Sequence, residues 1–252
     1  MAAVGFFRLN AEFSLRKIRS NLQKEKEKRV NGIKNGFDPD TTAVLVVDIQ
    51  GDFTPARHGA LAVDGADGPW LEQLDAAIRF LKQKGYPIIA TQDWHPPDHI
   101  SFYTNTPGKA PFELLELGDR TQIMWPPHCI QGTANADLIL DRELFDAVVQ
   151  KGMDPAFDSY SGFFDDGRKP TALESCLKQM DITALIVLGL AMDYCVRATA
   201  EDGHALGYRT AVVEEFSPGV APDTTGQALE KMAEAGIEIW PRLPQWQGRG
   251  SF

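Results

Sequence analysis

A three-layer α/β/α domain on a mostly parallel, Rossmann-like sheet is the fold class this chain predicts, and three observations carry that reading. From Thr41 onward, short apolar runs alternate with amphipathic helical segments. The runs are continuously apolar and rich in β-branched residues, as strands buried on both faces require. Several helical segments close on Gly, the common residue just past a helix end. In chain order, AVLVVDI (43–49) reads as the first strand and PWLEQLDAAIRFLKQKG (69–85) as an amphipathic helix closed by Gly85. YPIIATQD (86–93) is the second strand, after which Pro96 and Pro97 prevent continuation. Residues 103–135 show neither period and read as irregular. DAVVQ (146–150), ALIVLGLA (184–191), RTAVVEE (209–215) and IEIW (237–240) supply the remaining strands. PTALESCLKQM (170–180), MDYCVRATAEDGHALG (192–207) and DTTGQALEKMAEAG (223–236) supply the helices between them. No internal repeat or low-complexity linker interrupts the series, so residues 41–252 are read as one domain.

The bulk properties narrow the function classes. Apolar content of 43% and charged content of 24% are ordinary globular values, and no apolar run is long enough to span a bilayer. A net charge of −10 without a basic stripe argues against nucleic acid as a partner. Three cysteines, Cys129, Cys176 and Cys195, do not make a disulfide scaffold and point to a reducing compartment. The cytoplasm is the expected location. Residues 1–40 differ from the rest, with nine Lys and Arg against five Asp and Glu. They are read as a basic extension, helical or disordered; organelle targeting is the weaker alternative, because Glu12, Glu25 and Glu27 spoil the acid-poor composition of such peptides.

The chemistry gathers in a few short segments. In TQDWHPPDHISF, a carboxylate and two imidazoles fall within seven residues at the end of a strand. Side chains two apart on an extended chain share a face, so Asp93 and His95 converge while Trp94 points away. With His128 from WPPHC they form a mixed N/O set that suits zinc or a similar divalent ion. Three protein ligands leave positions open, as in catalytic sites. Any one of these histidines alone is more often a hydrogen-bonded core or surface residue. Cys195 lies in the first turn after a strand, where unpaired backbone NH groups, and a nearby Lys151, are expected to lower a thiol's pKa. Asp48, at the end of the first strand, suits a proton shuttle, although a strand-end Asp is commonly a cap. In open α/β sheets ligands bind beyond the carboxyl ends of the strands, which places Asp48, Asp93, Lys151 and Cys195 on one edge. Phe53, Trp125 and Tyr160 are candidate aromatic walls for a small-molecule pocket. Cys176 reads as packing, and Cys129 as a weak candidate for a further ligand.

Together VVDIQGDF, QDWHPPDHISF, WPPHCIQGT, QKGMDPAFDSYSGF and GLAMDYCVRATAEDGHALGY resemble the nicotinamidase/pyrazinamidase branch of the isochorismatase-like cysteine hydrolases, over about residues 42–240. The resemblance implies hydrolysis of nicotinamide, and of pyrazinamide, through a thioester in NAD salvage. It makes Asp48 the general base, Lys151 the cation of a triad and Cys195 the nucleophile. Asp93, His95 and His128 become ligands of a divalent metal, zinc first, with iron or manganese as alternatives. His99 matches a position that ligates metal in some members and lies outside the coordination shell in others. GLAMDYC resembles the family's cis-peptide turn, at Leu190–Ala191, with the NH groups of Ala191 and Cys195 as oxyanion donors.

The implied partner is a small-molecule substrate, with homo-oligomerisation left open. Rival readings are a hydrolase of the same fold acting on another small amide, such as an N-carbamoyl compound, an isochorismatase, and a noncatalytic metal-dependent binding module. The Asp and His set argues against the isochorismatase, and an intact Asp48, Lys151 and Cys195 against the binder.

Overall fold

The computed structural model describes residues 32–34 and 36–248. Six parallel strands form the central sheet: β1 (Thr42–Val47), β2 (Ile88–Asp93), β5 (Ala147–Lys151), β6 (Ala184–Gly189), β7 (Arg209–Val213) and β8 (Glu238–Trp240), in the spatial order β5-β2-β1-β6-β7-β8. Each corresponds to one of the six expected runs. Successive strand residues alternate between two apolar cores, one on each face of the sheet. Val44, Val46, Ile88, Ile186 and Leu188 pack on one face against helix α1 (Gly68–Gln83) through Leu74, Ile78 and Leu81. Leu45, Val47, Ile89, Leu185 and Val187 pack on the other. There they meet α2 (Leu173–Gln179), α3 (Arg197–Ala205) and α4 (Pro222–Glu234) through Leu173, Leu177, Ala200, Ala228 and Met232. Burial on both faces explains why the strands read as unbroken apolar runs.

Local signals set the ends of these elements. The Asp67 carboxylate caps α1 by accepting the Trp70 NH at 3.0 Å, and Pro opens both α1 and α4 where a helix has no use for the missing donor. Gly189 at the end of β6 has φ 130°, and a Cβ there would lie 2.2 Å from the Val47 carbonyl oxygen. Only glycine lets β6 pass β1 this closely.

Three expectations are corrected. Residues 103–135 contain a hairpin, β3 (Leu114–Leu117) and β4 (Arg120–Ile123), turned through Gly118 with φ 70°. Its outward residues are largely exposed, so it lacks the apolar signature of a core strand. The segment expected as one helix from Met192 opens instead with a wide turn over Met192–Val196, closed by the Val196 NH on the Ala191 carbonyl at 3.1 Å. The helix after Pro170 is confined to Leu173–Gln179. At the other end of the chain, Ile33 and Phe37 are buried in the core, so the packed body reaches back before residue 41. The helical or disordered expectation for residues 1–31 lies outside the described residues. Among the described residues no helix is long and apolar enough to cross a membrane.

Glu238 fastens the early segment to the sheet. Its carboxylate accepts from Lys34 Nζ at 2.5 Å, from Arg209 Nη2 at 2.6 Å and from Trp240 Nε1 at 3.1 Å. Burial opposes its ionisation, but these donors outweigh it and bring the pKa down to about 2. A depressed carboxyl pKa contributes stability that is complete above the ordinary value of 4.5 and is lost as pH falls toward 2. Glu238→Gln should therefore lower the unfolding free energy at pH 7 by about 1 kcal/mol, the scale of a partly screened charged hydrogen-bond set. In urea melts the gap to the parent chain should close on acidification below pH 4.5; a gap independent of pH would refute this account.

Candidate active site

The parallel register delivers four chemistry-bearing residues to one edge. β1 and β6 end level, Val47 beside Gly189, and β2 and β5 end level, Asp93 beside Lys151. Asp48 follows β1 directly, with φ 48°, and Cys195 sits in the turn after β6. Asp48 is anchored by Thr91 on the neighbouring strand, whose hydroxyl donates to Oδ1 at 2.6 Å and accepts the Asp48 NH at 3.2 Å.

Lys151 occupies the centre and is 1% exposed. Its Nζ lies 2.9 Å from Asp48 Oδ2, and it donates to Asp93 Oδ1 at 2.5 Å, to the Ser159 carbonyl at 2.7 Å and toward Cys195 Sγ at 3.5 Å. A ligand-capable atom from each of Asp48, Asp93 and Cys195 lies within 4.8 Å of the others. The expected base, cation and thiol thus face one another. Burial tends to neutralise Lys151, but the two carboxylates outweigh it and hold the ammonium protonated well above its ordinary value. Burial raises the Asp48 carboxyl, and Lys151 only partly offsets this. Burial also dominates at Cys195, raising its thiol well above the ordinary value although Lys151 pulls the other way. The expectation that the turn's NH groups and Lys151 lower the thiol pKa is therefore corrected: burial outweighs the lysine and pushes the thiol up.

Beside this group, Asp93, His95 and His128 each offer a ligand atom within 4.8 Å of the others, all three buried. The imidazole orientations are set by carbonyl groups, which can only accept. His95 Nδ1 donates to Gly152 O at 2.9 Å and His128 Nδ1 to Pro126 O at 2.8 Å. Each neutral ring must then present the lone pair of Nε2, the arrangement that outer hydrogen bonds impose on metal-binding histidines. His95 Nε2 lies 3.6 Å from Asp93 Oδ2. Burial, reinforced by neighbouring His95, lowers His128 to about 4, so its ring is neutral at pH 7. The donor set fits a divalent cation with open positions.

His99 is placed differently. Its Nε2 donates to Phe157 O at 3.2 Å, so Nδ1 is the acceptor for the Ser101 hydroxyl at 2.7 Å, and no lone pair is left over. It stacks beside His95, with ring centroids 4.3 Å apart, and groups with His95 and Asp158 rather than with Asp93 and His128. Cys129 belongs to none of the potential ligand groups among the described residues.

A cavity of about 210 Å³ opens over Cys195, Asp93 and His128 and is walled by Phe53, Trp125 and Tyr160. Trp125 Nε1 donates to Tyr160 OH at 2.9 Å, which fixes both rings. Ala191 and Cys195 share one wall, and the Leu190–Ala191 peptide is cis. Sequence reasoning missed Tyr194, which lines the cavity with its ring 5.3 Å from that of Trp125. Its place next to Cys195 was the available signal. Asp158 was also missed. It is buried, accepts from Gln122 Nε2 at 2.8 Å, and is held ionised, against burial, by His95 and His99. Nothing in its spacing distinguished it from its acidic neighbours.

Comparison with known proteins agrees with this geometry. The Isochorismatase domain model matches residues 42–240. The chain belongs to the isochorismatase domain family. It is 38% identical to the nicotinamidase of Escherichia coli (strain K12) over 210 residues, covering 81% of this chain and 96% of that protein. Its structure is similar to that of an Acinetobacter baumanii nicotinamidase/pyrazinamidase, with TM-score 0.74 and 36% identity across 80% of this chain and 96% of the other. A Pyrococcus horikoshii pyrazinamidase solved in complex with zinc aligns with TM-score 0.65 and 34% identity, over 79% and 97% of the two chains. The six-stranded parallel sheet is the isochorismatase-like α/β fold expected from the sequence.

The central ammonium gives two measurable consequences. Lys151→Met leaves Asp48 and Asp93 buried without their cation and should destabilise the fold by about 3–5 kcal/mol in urea melts; a loss under about 1 kcal/mol would show that the pair is not held by charge. In the unsubstituted chain, with alkylation at Cys195 resolved by mass spectrometry, the iodoacetamide rate should keep rising with pH beyond the ordinary thiol value of 9.0. A plateau near neutral pH would mean that the lysine, not burial, governs the thiol.

Proposed function

We propose that this chain is a metal-dependent cysteine amidohydrolase that converts nicotinamide to nicotinate and ammonia, and pyrazinamide likewise. The observation that carries the reading is the buried Lys151 ammonium, in reach of Asp48, Asp93 and Cys195, the last two of which line an aromatic-walled cavity. A binding module has no use for a neutral thiol, a raised carboxyl and a fixed cation in one place.

Phe53 and Trp125 hold the flat ring, with Tyr160 fixing the indole, and the carboxamide carbon faces Cys195. Asp48 takes the Sγ proton as sulfur attacks, so that no free thiolate need accumulate. The backbone NH groups of Ala191 and Cys195 receive the oxyanion. Asp48 then returns the proton to the departing nitrogen, releasing ammonia and leaving a thioester on Sγ. In the second half Asp48 takes a proton from water as the hydroxyl adds to the thioester carbon; the C–S bond then breaks, Asp48 returns that proton to Sγ, and the new carboxyl group loses its proton to solvent, giving the carboxylate and the thiol. Asp93, His95 and His128 hold a divalent ion, with zinc favoured by the N/O donor set and by the zinc complex of the Pyrococcus horikoshii relative. When bound, such an ion supplies Lewis acidity toward water or a ring nitrogen. His99 stacks beside His95, and Asp158 groups with these two imidazoles.

Cys195→Ala should reduce ammonia release from nicotinamide by at least about a thousandfold, the scale of removing a covalent nucleophile, and leave the zinc content of the purified protein intact. Appreciable turnover in that variant would end the nucleophile assignment. A parent chain that releases ammonia from an N-carbamoyl amide but not from nicotinamide or pyrazinamide would move the activity to another small amide.

A further inference from the structure

The segment leaving β1 holds the ligand set from behind. The β1–β2 ladder stops at Val46 beside Ala90, three residues short of Asp93. Beyond that point the fully buried Gln50 side chain takes the place of a strand. Its Oε1 accepts the Asp93 NH at 2.8 Å and its Nε2 donates to the Asp93 carbonyl at 2.7 Å, with a second bond to Ala136 O at 2.8 Å. One amide therefore pairs with both backbone groups of one ligand, while β5 pairs with it from the other side. Two residues on, Asp52 Oδ2 accepts the Cys129 NH at 2.7 Å, and Oδ1 accepts from Ala60 NH and Asn135 Nδ2, each at 3.3 Å. Cys129 follows His128, has φ 46°, and through its carbonyl accepts the His95 NH at 3.0 Å. The Asp52 carboxylate thus fixes a left-handed residue whose two peptide groups reach both histidines.

Neither Gln50 nor Asp52 lines the cavity, to which their segment contributes Phe53. We propose that Gln50 and Asp52 are positioning residues for the divalent-ion site, Gln50 by clamping the backbone of Asp93 and Asp52 by locking the His128–Cys129 turn. The inference rests on the ion-binding reading above. It adds that a single four-residue segment governs ion affinity without touching ion or substrate. The side chains are specific in this role. Gln50 must both donate and accept, so Gln50→Glu would set a carboxylate against two carbonyls. Asp52 must only accept, so Asp52→Asn would turn an NH₂ toward a donor.

The test is zinc affinity, measured by competition with a chromogenic chelator on metal-stripped full-length protein. Alkylation of Cys195 in the metal-free state reports the triad, and thermal melts report the fold. Gln50→Glu and Asp52→Asn should each raise the zinc Kd about 10–100-fold, as loss of an outer hydrogen-bond partner does. The metal-free alkylation rate should stay within about twofold of the parent. Leu81→Ala, a core truncation in α1, should lower the melting temperature and leave the zinc Kd unchanged. Should either isosteric variant misfold, Gln50→Asn and Asp52→Glu shift the same contacts by one methylene and should show the same rise. Wild-type zinc affinity in folded variants at both positions overturns the positioning role while the ion site stands. A zinc Kd that merely tracks melting temperature across all the variants, Leu81→Ala included, overturns it as well. A parent protein that takes up no divalent ion removes the ion site and the inference together.

Discussion

Burying an ammonium costs several kcal/mol unless its charge and all three protons are met, and the Lys151 environment is arranged to meet them. The three hydrogen bonds of Lys151 go to the Asp93 carboxylate, the Ser159 carbonyl and Cys195 Sγ, and Asp48 Oδ2, 2.9 Å from Nζ, adds further compensating charge. Each partner is in turn fixed by this one group. Removing the cation would leave two carboxylates buried side by side, so Asp48, Asp93 and the Cys195 thiol share one common centre by electrostatic necessity. The proposed ion set and the proposed acyl-transfer set meet in the Asp93 carboxylate, one oxygen of which faces Lys151 and the other His95.

What places this centre is the parallel sheet. Strands that all run one way end on one edge, and the register puts Asp93 level with Lys151. That much was legible in the sequence, because continuous apolar runs announce doubly covered strands, and the residue just past each run must emerge at the carboxyl edge. Asp48, Asp93, Lys151 and Cys195 could be placed together for this reason, whereas their roles were implied by the resemblance of the motifs and His128 by its own segment. Their co-location follows from topology and needs no knowledge of side-chain packing.

Other parts were not legible, for physical reasons. The Ser159 carbonyl is backbone and carries no side-chain signature. The β3–β4 hairpin lies outside the core, so its exposed positions show no apolar period. Gln50 and Asp52 look like ordinary loop polar residues until the end of the β1–β2 ladder shows what they replace. The direction of the Cys195 shift was misjudged because a sequence reveals the nearby lysine but not how completely the site is closed. Burial outweighed the cation.

That balance bears on how the thiol could be activated. Burial raises the Asp48 carboxyl and the Cys195 thiol together, and the proposed proton transfer from Cys195 to Asp48 would move one negative charge from oxygen to sulfur without changing the total. Both positions lie within reach of the same Nζ, at 2.9 Å and 3.5 Å. The ammonium therefore faces the negative charge both before and after transfer. A fully ionised thiolate beside an ionised Asp48 would add a second uncompensated charge to the same cavity. On the proposed mechanism the buried triad thus favours proton transfer concerted with attack, while the cavity over Cys195 leaves its sulfur reachable by substrate and by the water of the second half.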